Sequence, residues 1–142
     1  MEGLGGGILF GVGFALAASA AARLLGSRRG LPLLALLLGA AAAVYVGAAW
    51  AEPRASAGLE AAAFVVFLIL ALAGWERSAV LALGWLAHSG WDALHLTGVL
   101  HSSAPEWYQV ACLVADPLLA GFLIWWALSG RGRLGNFHSP GA

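Results

Sequence analysis

Five apolar runs, each close to the ~20 residues that a helix needs to cross the hydrocarbon of a bilayer, constrain this chain more than any other feature. They fall at about 5–25, 31–50, 58–75, 79–100 and 106–128. Short charged or glycine- and proline-containing breaks separate them: Gly26 to Gly30, Glu52-Pro53-Arg54, Glu76-Arg77 and Ser102 to Pro105. Connections this short predict a tight up-and-down bundle. Hydrophobic residues make up 61% of the 142 and charged residues only 10%, with a mean hydropathy of +0.86. A water-soluble domain of this size has too little interior to hide that much apolar surface. The expectation is therefore an all-α integral membrane bundle, residues 1–129, followed by a flexible cytoplasmic tail, 130–142. Four spans plus one re-entrant segment is the alternative, because spans three and four are the least cleanly separated.

Charge orients the bundle. Arg23, Arg28, Arg29, Arg77, Arg131 and Arg133 all follow odd-numbered spans, and only Arg54 falls on the other side, with Glu2, Glu52 and Glu106. Basic residues collect on the cytoplasmic face, so the N-terminus is expected outside, the C-terminus inside, and the protein in the cell (inner) membrane. Trp50 and Trp107 would mark the outer interface, and Trp75, Trp125 and Trp126 the inner one. Ala18-Ser19-Ala20 resembles a signal-peptidase site, but the preceding segment carries Glu2 and no basic residue, which favours a retained first span. The net charge of zero gives no reason to expect a nucleic-acid partner. Small residues recur along span one (Gly3, Gly7, Gly11, Ala15, Ala18) and span two (Ala35, Gly39, Ala43, Gly47), and such ridges let helices approach closely in lipid.

Polar groups at bilayer depth are costly without partners, so they mark where function should be sought. Spans four and five hold most of them. His88, Asp92 and His95 fall within about 60° on one helical face. Tyr108, Cys112 and Asp116 repeat at i, i+4, i+8 and share another face. With 1.5 Å of rise per residue and antiparallel spans, the two sets interleave in depth, from His95 at about 7–8 Å below the outer end to His88 at about 18 Å. Tyr45 and Glu60 could reach the same level or its mouth. Imidazole and carboxylate, with a thiolate, suit zinc or another divalent metal. His88, Asp92, His95, Asp116 and Cys112 are thus the candidate ligands. Asp92, Glu60 and Tyr108 are the candidate catalytic acid–base groups. Pro117 should weaken the helix next to Asp116.

The stretch from Gly84 to His95, followed by Pro105, Trp107-Tyr108, Cys112 and Asp116, resembles the DUF6010 kind of small bacterial membrane proteins. Their pattern has the form H-x-x-W-D-x-x-H-H, then a proline-containing loop, then C-x-x-x-D. Leu96 stands where that pattern often carries its last histidine. The resemblance covers residues 84–116 and implies an integral membrane location with no assigned activity.

Three functions fit these residues. The first is a metal-dependent membrane enzyme, a hydrolase or lipid-modifying activity on a lipid or other apolar substrate. The second is a carrier or a proton or ion relay. The third is a structural accessory subunit of a larger membrane complex, and the expected partners are membrane lipids, an apolar or lipid substrate, and a homo-oligomer or larger membrane complex. A path across the bilayer would need polar groups below His88 as well, and spans four and five offer almost none, which favours a one-sided site.

Overall fold

The computed structural model describes residues 2–52, 57–101 and 104–129. Arg54, Arg131, Arg133, the 130–142 tail, the side chain of Glu2 and the surroundings of Gly3 lie outside that description. Within it the chain is all-α, with five helices and no strand: α1 Glu2–Leu25, α2 Ser27–Ala51, α3 Ala57–Ala73, α4 Ser78–Leu96 and α5 Glu106–Leu128. The first two are separated by Gly26 alone, whose φ of 70° is a turn that side-chain-bearing residues rarely adopt. The charged break foreseen at 26–30 is thus mostly the first turn of α2.

α4 departs further from the sequence reading. The apolar pattern continues to Leu100, but the helix stops at Leu96. Gly98 takes φ 74° and donates its N–H to the His95 carbonyl, while the Thr97 side chain and amide both bond back to Ala93. This is a glycine helix stop. It places His95 in the last turn of α4, next to the helix end rather than 7–8 Å below it.

Consecutive helices pack as neighbours, and α5 closes the ring against α1 while α4 also touches α2. α1 and α5 run parallel. A Cβ on Gly7 would meet the Trp107 carbonyl and Val110, and one on Gly11 would meet the backbone of Ala111. At the other end of the same pair, the Arg23 guanidinium lies 5.1 Å from the centre of the Trp125 ring. The ridge on span one therefore packs inside the bundle. The second ridge behaves differently: Ala35 is buried, but Gly39 and Gly47 have nothing within 4 Å of a built Cβ.

The interior and exterior are inverted relative to a water-soluble bundle. Leu9, Leu24, Ile69, Leu83 and Leu128 stand exposed, Leu24 at 89%. Glu60, His88, Asp92, His95, Gln109 and Asp116 are buried. The α1 segment Leu4–Leu25, α2 and α5 are each long and apolar enough to cross a membrane. α3 has 17 residues, about 26 Å of helix, a little under the ~30 Å hydrocarbon thickness. One half of the core is purely apolar, built from Leu31, Leu34, Leu81, Leu119, Leu123 and Trp126. Trp126 turns into this core, so of the tryptophan pair only Trp125 presents an exposed ring.

Candidate functional site

Helical periodicity places the polar residues of α4 and α5 where these helices face each other. His88 and Asp92 are one turn apart on α4 and fully buried. Asp116 and Cys112 are one turn apart on α5 and buried as well. The His88 Nδ1 lies 2.8 Å from Asp116 Oδ2 and 3.1 Å from Asp92 Oδ2. One imidazole nitrogen thus sits between two carboxylates, and its single proton can serve only one of them well. The Tyr45 hydroxyl, reaching in from α2, donates to Asp92 Oδ1. His88, Cys112 and Asp116 each offer a ligand atom, and these atoms lie within 4.8 Å of one another. His88 Nε2 and Asp116 Oδ1 are buried with no hydrogen-bond partner among the described residues.

His95 does not join that group. Seven residues, or about 10.5 Å of rise, separate it from His88 on the same face, so it belongs to another level. Its Nε2 lies 3.3 Å from Glu60 Oε1 in the first turn of α3, and the Trp91 indole donates to Glu60 Oε2 at 3.3 Å. The His95 ring stacks on Tyr45 with centroids 4.9 Å apart. The single cluster read from the sequence is therefore two, a Glu60–His95 pair near the C-terminal end of α4 and a group of His88, Asp92, Cys112 and Asp116 farther from that end. Tyr45 touches both.

Tyr108, Cys112 and Asp116 do share a face, and they line a cavity of about 230 Å³ between α1, α2 and α5. Its other walls are Phe10, Phe14, Leu37, Ala40, Ala41 and Val44, with Trp85 and the Gly11–Ala111 contact. The cavity lies where the backbones of α2 and α5 stand apart among the described residues. The Tyr108 hydroxyl bridges the gap by donating to the Ala41 carbonyl at 2.8 Å. Of the candidate acid–base groups, Tyr108 thus borders the cavity, Asp92 lies beside His88, and Glu60 sits at the other level.

Sequence reasoning missed the part played by Phe10 and Phe14. Nothing distinguishes a phenylalanine that walls a cavity from one that faces lipid when both stand in an apolar run. It also missed the Trp91 indole as the partner of Glu60. That link was visible only as one tryptophan between His88 and His95, on a helix with many apolar neighbours. Beyond the His88 group the core is apolar, and Trp85, one turn from His88, keeps its indole N–H buried and without a partner among the described residues.

The chain belongs to the DUF6010 family, a family of unknown function, whose model matches residues 6–131. The match extends the likeness from the two polar helices to nearly the whole bundle. No curated protein and no solved structure matches the chain.

Proposed function

We propose that this protein is a five-span enzyme of the cell membrane, N-terminus outside and C-terminus inside, with a divalent metal centre that acts on a lipid or other apolar substrate. The observation that carries the reading is the convergence of His88, Cys112 and Asp116 from two helices, with Cys112 and Asp116 forming part of the wall of an apolar cavity. Imidazole, thiolate and carboxylate form a set that suits zinc, and three protein ligands leave a position for substrate or water. Such an ion would polarise a substrate oxygen or lower the pKa of a bound water. Asp92 stands outside the set and, held by Tyr45, orients the His88 ring.

Energetics favour this over simple helix glue. Interhelical hydrogen bonds in a bilayer are worth roughly 0.6–2 kcal/mol each. A buried ionised carboxylate costs several kcal/mol unless it is compensated. Two carboxylates around one imidazole leave a deficit that a bound cation offsets. The exposed leucines around the bundle and the basic residues at the Arg23 end support the bilayer and its orientation. A relay reading draws on the succession Glu60, His95, Tyr45, Asp92, His88. The apolar core beneath His88 ends that succession inside the bundle, so it would serve the centre rather than cross the membrane.

Elemental analysis of the detergent-purified protein tests the proposal. One divalent metal per chain is expected, lost in His88→Ala and Asp116→Ala variants that keep the wild-type far-ultraviolet circular dichroism. A metal-free, fully folded wild type would overturn it and leave the accessory-subunit reading standing.

A further inference from the structure

The cavity has a direction, and the direction identifies what enters it. α1 and α2 are pressed together at their shared turn, where a Cβ on Gly30 would strike the Ala22 carbonyl. Farther from the turn they part. Phe10 and Phe14 on one side and Leu37, Ala40 and Val44 on the other lie at matching distances from Gly26, with the cavity between them. Phe10 leans instead toward α5, its ring 5.9 Å from Trp107. The rim residues are exposed on the flank of the bundle, Phe10 at 57% and Val44 at 38%, while the inner wall of Ala111, Cys112 and Asp116 is buried. The opening is therefore lateral, at mid-helix, and its rim is wholly apolar.

We propose that this cleft receives one linear aliphatic chain from the surrounding lipid, entering between α1 and α2 and bringing its oxygen-bearing end to Cys112 and Asp116. The rim of Phe10, Ala40 and Val44 offers bulk water no hydrogen-bond partner, so water is confined to the Cys112–Asp116 wall, and a phospholipid headgroup would be stripped of hydration at the rim with nothing to replace it. The volume, about 230 Å³, lies below the ~300–1,000 Å³ of ordinary small-molecule pockets. It accommodates a narrow chain and not a fused-ring sterol or two acyl chains side by side. The Tyr108–Ala41 hydrogen bond fixes the cleft's width where the chain would meet the polar wall. This deepens the enzymatic reading by naming its substrate class. It rests on that reading for the chemistry at the chain's end, but the occupancy of the cleft is measurable without it.

Cys112 is the only cysteine, so modification of the cleft is read without background by intact-protein mass spectrometry. The full-length protein in phosphatidylcholine nanodiscs, with and without prior chelation, is treated with N-dodecylmaleimide or with a sulfonated, membrane-impermeant maleimide. The apolar reagent is expected to alkylate Cys112 and the charged one to leave it unmodified. Myristic acid at about ten times its Kd should occupy roughly nine in ten clefts and slow alkylation about tenfold. Cholesterol should not slow it, and the diacyl lipid of the disc serves as the constant background. Ala40→Phe and Val44→Phe, which fill the cleft, should abolish both fast labelling and myristate protection. Gly39→Phe, which fills the separate groove between α2 and α3 instead, should preserve them. Faster labelling by the charged reagent, or indifference to myristate with all three variants alike, would overturn the proposal. Failure of the metal reading shows instead as metal-free protein with the labelling pattern intact.

Discussion

Replacing Gly11 by alanine should loosen the bundle, while the same change at Gly39 should not. A Cβ at position 11 falls against the Ala111 carbonyl oxygen, with the Ala111 carbonyl carbon and Cα each 3.2 Å away. All three are backbone atoms, so no side chain can rotate aside and α1 must back away from α5. Forcing one methyl group into a packed contact costs about 1–3 kcal/mol. Against this stands the gain in helix propensity on replacing glycine, up to ~1 kcal/mol. Gly39 has nothing within 4 Å and receives the gain alone. The difference between the two variants cancels propensity and isolates the contact, with Gly11→Ala less stable than Gly39→Ala by about 1–3 kcal/mol. Reversible unfolding by sodium dodecyl sulfate in mixed micelles, followed by circular dichroism, measures both. Equal stabilities would refute the parallel α1–α5 packing and, with it, the wall that Gly11 gives the cavity.

Four further outcomes follow from the same geometry. Asp92→Asn should lower metal affinity ten- to a hundredfold, the usual effect of losing a partner that orients a ligating histidine, whereas His95→Ala should leave affinity unchanged; competition with a chromogenic chelator reads both. Tyr45→Phe leaves Asp92 Oδ1 without its donor and should destabilise the protein by about 1–3 kcal/mol in the same unfolding assay, with the metal still present. Gly98→Ala forces a side chain into a left-handed backbone and should cost about 1–2 kcal/mol, with faster amide exchange confined to the end of α4. A reporter fused after Ser129 should be active only in its cytoplasmic form, and activity of a periplasm-specific reporter there would reverse the orientation.

Much of the architecture was legible because helices have a fixed period. The 100° step put His88 with Asp92 and Cys112 with Asp116, and short connections made the two helices antiparallel neighbours. The same arithmetic could not separate levels along a face. His95 shares the face of His88 but meets α3 and Glu60, because which neighbour stands opposite each turn depends on tertiary packing. Gly98 carried a readable stop signal after Thr97, yet the apolar run beyond it masked the helix end. The two small-residue ridges look alike as strings. Only packing reveals that Gly7 and Gly11 press on α5 while Gly39 borders an open groove beside α3 and Gly47 is exposed. Trp126 likewise resembles its neighbour Trp125, and a rotation of 100° sends one into the core and leaves the other over Arg23.

X-ray absorption at the metal edge of the as-purified protein bears most directly on the centre itself. If the ion is zinc, His88, Cys112 and Asp116 require one sulfur scatterer at about 2.3 Å together with nitrogen and oxygen scatterers at about 2.0–2.2 Å, and Cys112→Ser should remove the sulfur shell alone. A first shell of light atoms only, or a sulfur shell that survives Cys112→Ser, would contradict the assignment.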